Sequence, residues 1–141
     1  MTRGISGLIS LVLVAVACGG TTTSTTAEIV DPFGPPFGME AAARDFEFVP
    51  AGWTVPANAL LVLDFENRGA VEHFFAIIEG PAIDSVADLD ASLIFRELRA
   101  GPGETTSDTF LAPTELGRYQ VICTVPGHLE AGMTAELIVE P

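Results

Sequence analysis

The sequence predicts an all-β domain, an antiparallel sandwich or barrel with one short helical insertion. Three observations carry that expectation. Several short runs alternate apolar and polar residues, the period of a half-buried strand. Glycine and proline punctuate the gaps between them. Only one stretch, Asp84 to Arg99, departs from the pattern and spaces its apolar residues as a helix would.

In chain order, Phe46 and Phe48 alternate with Asp45 and Glu47 as a first strand. Leu60 to Phe65 is an apolar run of strand character, and Asn67-Arg68-Gly69 supplies turn chemistry after it. From Val71 one parity reads Val71, His73, Phe75 and Ile77. Val86, Leu89, Leu93, Ile94 and Leu98 form the helical exception, with Asp84 or Ser85 as a cap and Gly101-Pro102 as a stop. Thr105 to Leu111 reads as a strand ending at Pro113. Tyr119, Val121 and Cys123 share one face of the next, and Ala135, Leu137 and Val139 share one face of the last.

The first part of the chain differs in kind. Residues 1–17 read as a signal peptide: Arg3, an apolar run from Ile5 to Ala17, then small residues. That run is shorter than the about 20 residues of a membrane span. Ala15-Val16-Ala17-Cys18-Gly19 resembles a bacterial lipoprotein cleavage box, with Ala15 where Leu is usual, so Cys18 is the expected lipidation site. Residues 18–39 read as a tether. Thr21 to Thr26 is almost pure Thr/Ser and has nothing to bury, and Asp31 to Gly38 is rich in Pro and Gly. The folded domain is then expected over residues 40–141, one core's worth of chain. The expected location is outside the cytoplasm, on the outer face of the cell membrane or in the periplasm.

Charge narrows the partners. The chain has 19 acidic and 6 basic residues, a net charge of −13, and loss of Arg3 with the signal makes it one unit more negative. Binding nucleic acid by neutralising phosphates is not compatible with that balance. A basic protein partner is. With Cys18 lipidated, Cys123 is the only remaining thiol, which leaves no disulfide framework despite the oxidising compartment. A lone thiol in an exported domain points to a metal.

The informative segment runs Tyr119-Gln120-Val121-Ile122-Cys123-Thr124-Val125-Pro126-Gly127-His128-Leu129-Glu130-Ala131-Gly132-Met133. Thiol, imidazole and thioether fall in the pattern Cys-x4-His-x4-Met, and the only other histidine is His73, on a predicted strand. Two imidazoles, a thiolate and a weak thioether are the donor set of a blue-copper site. Thiolate and thioether stabilise Cu(I), while imidazole accepts both oxidation states. Pro126-Gly127 and Gly132 are the turns that would return His128 and Met133 toward Cys123.

This segment resembles the copper-binding loop of the cupredoxins, the plastocyanin/azurin superfamily, and its spacing is most similar to that of the rusticyanin and auracyanin branches. The likeness extends from Phe46 to Val139 and includes Asn67 to Phe75 and Gly117-Arg118-Tyr119. It implies an eight-stranded Greek-key β-sandwich binding one copper through His73, Cys123, His128 and Met133. It also implies transient redox partners and a monomeric one-electron carrier. One departure stands out: many cupredoxins place Asn directly after the first histidine, and here the residue is Phe74. Trp53 and Tyr119 are read as packing residues rather than electron relays.

Other classes fit less well. A multicopper oxidase needs many more histidines, and a dinuclear copper centre needs paired cysteines. A catalytic copper needs an open position, which four ligands would fill. Copper handling is the main alternative, but only Met39 and Met133 follow the signal, so a Met-rich track is missing. For an electron carrier, the composition of the loop predicts an apolar docking patch of Pro126, Gly127 and Leu129 around an exposed edge of His128.

Overall fold

A computed structural model describes residues 34–141. The signal peptide, Cys18 and most of the expected tether lie outside the described residues. Among the described residues, nine strands form two sheets. In chain order they are β1 (Phe37–Arg44), β2 (Glu47–Val49), β3 (Gly52–Pro56), β4 (Leu60–Asn67), β5 (His73–Ile78), β6 (Ile94–Ala100), β7 (Thr105–Leu111), β8 (Gly117–Ile122) and β9 (Thr134–Glu140). One sheet has the order β2-β1-β4-β7 and the other β3-β9-β8-β5-β6. The chain leaves the first sheet and joins the second across Pro50 and Ala51, between β2 and β3. Counted as one strand that changes sheets, the pair brings the number to the expected eight. Pairing is mixed: β1 runs parallel to β4, and β3 parallel to β9.

Strand β1 begins at Phe37, three residues before Glu40, where the domain was expected to start. Its Met39, Ala41 and Ala43 face the core while Gly38 and Glu40 are exposed, so it is the alternating strand that the Pro/Gly-rich stretch before it obscures. Phe46 is not on a strand. It sits in the turn between β1 and β2 and is 44% exposed, whereas Phe48 is buried.

The expected helical insertion, a short helix or helical loop over Asp84 to Arg99, takes the form of a loop with short helical turns. Two single 3-10 turns, Val86–Asp88 and Ala91–Leu93, are followed by β6, which takes Ile94 and Leu98 into the sheet. Ser85 and Asp90 cap the turns by accepting from the N–H groups of Ala87 and Ser92. The helical spacing of Val86, Leu89 and Leu93 reflects a different task. They cover a small second core of Ala76, Ile78, Ile122 and Leu129, on the outer face of the five-stranded sheet. Strand β5 is therefore buried on both sides, and its last four residues, Phe75 to Ile78, read as a continuous apolar run.

Between the sheets lie Phe65, Phe75, Leu61, Leu63, Ile77, Val121 and Leu137, all at most 1% exposed. Trp53 packs edge-on against Phe75 at 5.2 Å and donates to the carbonyl of Glu40, and the Tyr119 hydroxyl donates to the carbonyl of Glu115. Both are packing residues held by a hydrogen bond, as expected. The start of β5, the residue after β8 and the β1–β2 turn all meet at one end of the sandwich, where the hydrogen bonds described next link them.

Candidate metal centre

His73 opens β5, and Cys123 directly follows β8. Both are completely buried, and the N–H of Phe74 donates to the Cys123 Sγ at 3.4 Å. His128 returns to the same point through a loop that closes on itself. The N–H of His128 bonds the carbonyl of Val125, that of Ala131 the carbonyl of Gly127, and that of Met133 the carbonyl of His128. Gly127 and Gly132 hold φ of 88° and 99°, the left-handed conformation that the two turns need. The Cys123 N–H reaches the carbonyl of Met133 at 3.3 Å, which ties the two ends of the loop together.

The donor atoms converge. Cys123 Sγ stands 3.8 Å from His73 Nδ1 and 3.3 Å from His128 Nδ1, and all three donors lie within 4.8 Å of one another. With metal–sulfur and metal–nitrogen bonds of about 2.3 and 2.0 Å, trigonal geometry places such donors ~3.7 Å apart. The donor triangle has the size of a metal site. Met133 is fully buried in the same cluster as Cys123. Sulfur, thioether and imidazole together suit copper in both its oxidation states.

Burial sets the proton positions before any metal arrives. It pushes the Cys123 thiol up, against the pull of N–H groups from Phe74 and Val125. It also pulls the His128 imidazole down, with His73 adding to the effect. A metal must therefore displace the thiol proton, while His128 already offers a free nitrogen.

The structure adds residues that the sequence reading did not assign to the site. Asp45 accepts a hydrogen bond from His73 Nε2 at 2.8 Å, and Phe46 packs edge-on against His128 with ring centroids 4.7 Å apart. Asn67, only 1% exposed, bonds Val71 and Ala100 carbonyls and the Gly69 N–H, fixing the loop before His73. No local pattern marks Asp45 or Phe46, because a turn far away in sequence carries them in. The expected docking patch needs correction at one residue. Pro126 and Gly127 are exposed, but Leu129 is 6% exposed and belongs to the second core. His128 itself keeps only 9% exposure, and Phe46 is the large apolar group at the surface beside it.

A β-sandwich with a buried sulfur–imidazole pocket at one end defines the class: this is a cupredoxin. The family model described as copper binding proteins, plastocyanin/azurin family, matches residues 37–140, and the chain belongs to that family. Its resident cofactor is copper. Auracyanin-B of Chloroflexus aurantiacus is 31% identical over 121 residues, 73% of this chain and 51% of auracyanin-B. The chain thus spans about half the length of that relative. Auracyanin-A of the same organism is 28% identical over 151 residues, 94% of this chain and 92% of its own length. The solved structure of auracyanin A, described as a blue copper protein, superposes with a TM-score of 0.66 at 29% identity, covering 75% of this chain and all of that one. Reduced rusticyanin, at 22% identity and a TM-score of 0.61 over 76% of this chain and 81% of its own, shares the fold.

Proposed function

We propose that the protein is a monomeric one-electron carrier working outside the cytoplasm, in which His73, Cys123, His128 and Met133 would hold the copper. The observation that carries this reading is the convergence of three buried donor atoms within 4.8 Å. Bound copper supplies one-electron chemistry between Cu(I) and Cu(II). The chain's contribution is to hold donors that suit both states in one place. Cys123 is fixed by its own backbone bond and by the Phe74 N–H, and the His128–Met133 loop by its internal hydrogen bonds. A site held so firmly reorganises little between states. The same burial argues against copper delivery, which calls for exposed, labile donors.

The visible spectrum of the copper-loaded, oxidised protein tests this reading. An intense thiolate-to-copper band is expected, and Cys123→Ser should abolish it. Copper binding by the wild type without that band, or a coloured Cys123→Ser variant, would sink the proposal.

The reading includes a place and a partner. Phe46, packed on His128, and the exposed Pro126 and Gly127 of the His128 loop form the docking face, and electrons exchange there with a transient redox protein. Each arginine among the described residues is paired with a carboxylate, so the surplus surface charge is negative and suits a basic partner. Attachment to the membrane is through a lipid on Cys18, supported by the cleavage-box likeness in the sequence. Mass spectrometry of protein from native membranes should find a lipid-modified Cys18 at the N-terminus. An unmodified N-terminus downstream of Cys18 would refute the anchor.

A further inference from the structure

His73 has two ring nitrogens, and the structure gives each one a different neighbour. Nδ1 faces Cys123 Sγ, and Nε2 lies 2.8 Å from Asp45 Oδ1. A carboxylate oxygen only accepts, so the proton belongs on Nε2 and the lone pair on Nδ1. The carboxylate is itself held: its other oxygen accepts from the Ala70 N–H at 2.9 Å. That N–H belongs to the loop leading into His73, whose shape Asn67 fixes from inside.

The packing has been left open for this contact. A Cβ on Gly69 would lie 2.2 Å from Asp45 Oδ1 and 2.8 Å from His73 Nε2. Any side chain at position 69 would push the carboxylate and the imidazole apart. Gly69 carries no unusual φ, so the close approach, and not backbone freedom, accounts for glycine there.

We propose that Asp45 is a positioning residue of the metal centre, fixing His73 with Nδ1 toward the metal and lowering the reduction potential through its negative charge. The carboxylate touches no donor position, so it acts through the imidazole. A charge on the far side of a ligand favours the more positive oxidation state, Cu(II), and outer contacts of this kind both orient a ligand and tune its metal. The side-chain contact to this ligand's outer nitrogen comes from Asp45, in the β1–β2 turn of the other sheet.

The inference rests on the copper reading above, and the two fail differently: without copper the wild type has no blue band, whereas a failed inference leaves the band and shows up only in the variants. The test is voltammetry on copper-loaded wild type, Asp45→Asn, Asp45→Glu and Gly69→Ala. Asp45→Asn keeps an acceptor for Nε2 but removes the charge. It should raise the potential by about 59 mV, a tenfold shift toward Cu(I) for a one-electron couple. Gly69→Ala, which displaces the carboxylate without altering it, should raise the potential as well. Asp45→Glu keeps the charge and should stay nearer the wild type than Asp45→Asn. Proton NMR of the Cu(I) form gives an independent readout: an exchange-protected His73 Nε2–H in wild type and Asp45→Asn, lost in Asp45→Ala. A potential that moves by less than a twofold shift in both Asp45→Asn and Gly69→Ala would overturn the tuning role. An Nε2–H equally protected in Asp45→Ala would overturn the positioning role.

Discussion

The loop from Cys123 to Met133 and the turn from Arg44 to Glu47 both border the metal centre, but they contribute in opposite ways. The loop carries three of the proposed ligands and is held by bonds within itself, from Cys123 N–H to the carbonyl of Met133 and from Met133 N–H to that of His128. The turn carries no ligand. It lays Asp45 on the outer nitrogen of His73 and Phe46 on the ring of His128. The identity of three of the four proposed donors is thus written in one local stretch, with His73 on β5 as the fourth. The surroundings of the donors, which decide potential and access, arrive from a distant part of the chain. The two apolar residues flanking His128 show the same division. Leu129 faces inward to the second core, and Phe46 stands 44% exposed at the surface.

That contrast predicts different losses. Leu129→Ala should cost about 2–4 kcal/mol, because it empties a buried site beneath the 3-10 turns. Leu129→Asp should cost more, since a carboxylate there has no partner. Denaturant unfolding of the metal-free protein measures both. If Leu129→Ala costs less than about 0.5 kcal/mol, the residue is not a core member and the division of labour between the two regions fails.

Potential sharpens the comparison from the loop's side. Met133 is fully buried, and its thioether is the weakest of the proposed donors. Met133→Leu should keep the copper and raise the potential by an amount of the order of a tenfold shift, 59 mV. Met133→Gln offers a harder oxygen and should lower it. Identical potentials in the wild type and both variants would remove Met133 from the ligand set and leave the turn as the main tuning element.

The donors were legible in the sequence because chemistry at fixed spacing needs no tertiary information. His128 and Met133 follow Cys123 in one loop, and His73 is the only other histidine. The last strand was legible because Ala135, Leu137 and Val139 alternate over one buried face, that from Leu60 because an apolar run of strand character meets turn residues, and that from Thr105 because it stops before Pro113. What escaped reading has a common cause, namely contacts between parts distant in sequence. Val86, Leu89 and Leu93 looked helical because they cover the outer side of a sheet that the chain segment itself does not reveal. Phe46 looked like a strand residue because it and Phe48 alternate with Asp45 and Glu47, although only Phe48 faces the core. Asp45 looked like the polar side of that strand, and nothing nearby announces a histidine partner on the other sheet.

The smallest expected effect concerns the turn alone. Phe46 is exposed, so Phe46→Ser should change stability by less than about 1 kcal/mol. It removes no ligand and leaves Asp45 on His73, so the blue band and the potential should stay close to those of the wild type. What it removes is the apolar cover beside His128, next to the exposed Pro126 and Gly127. Close, short-lived docking of a redox partner depends on such a surface being apolar and easily dehydrated. Exchange with a competent partner should therefore slow severalfold in Phe46→Ser. The salt dependence should be unchanged, because the acidic charges that steer a basic partner are untouched. Stopped-flow kinetics at two ionic strengths separate the contributions. A rate equal to wild type at both would move the docking face away from the β1–β2 turn. A rate lowered only at low salt would mean that Phe46 acts through the arrangement of charge and not through contact.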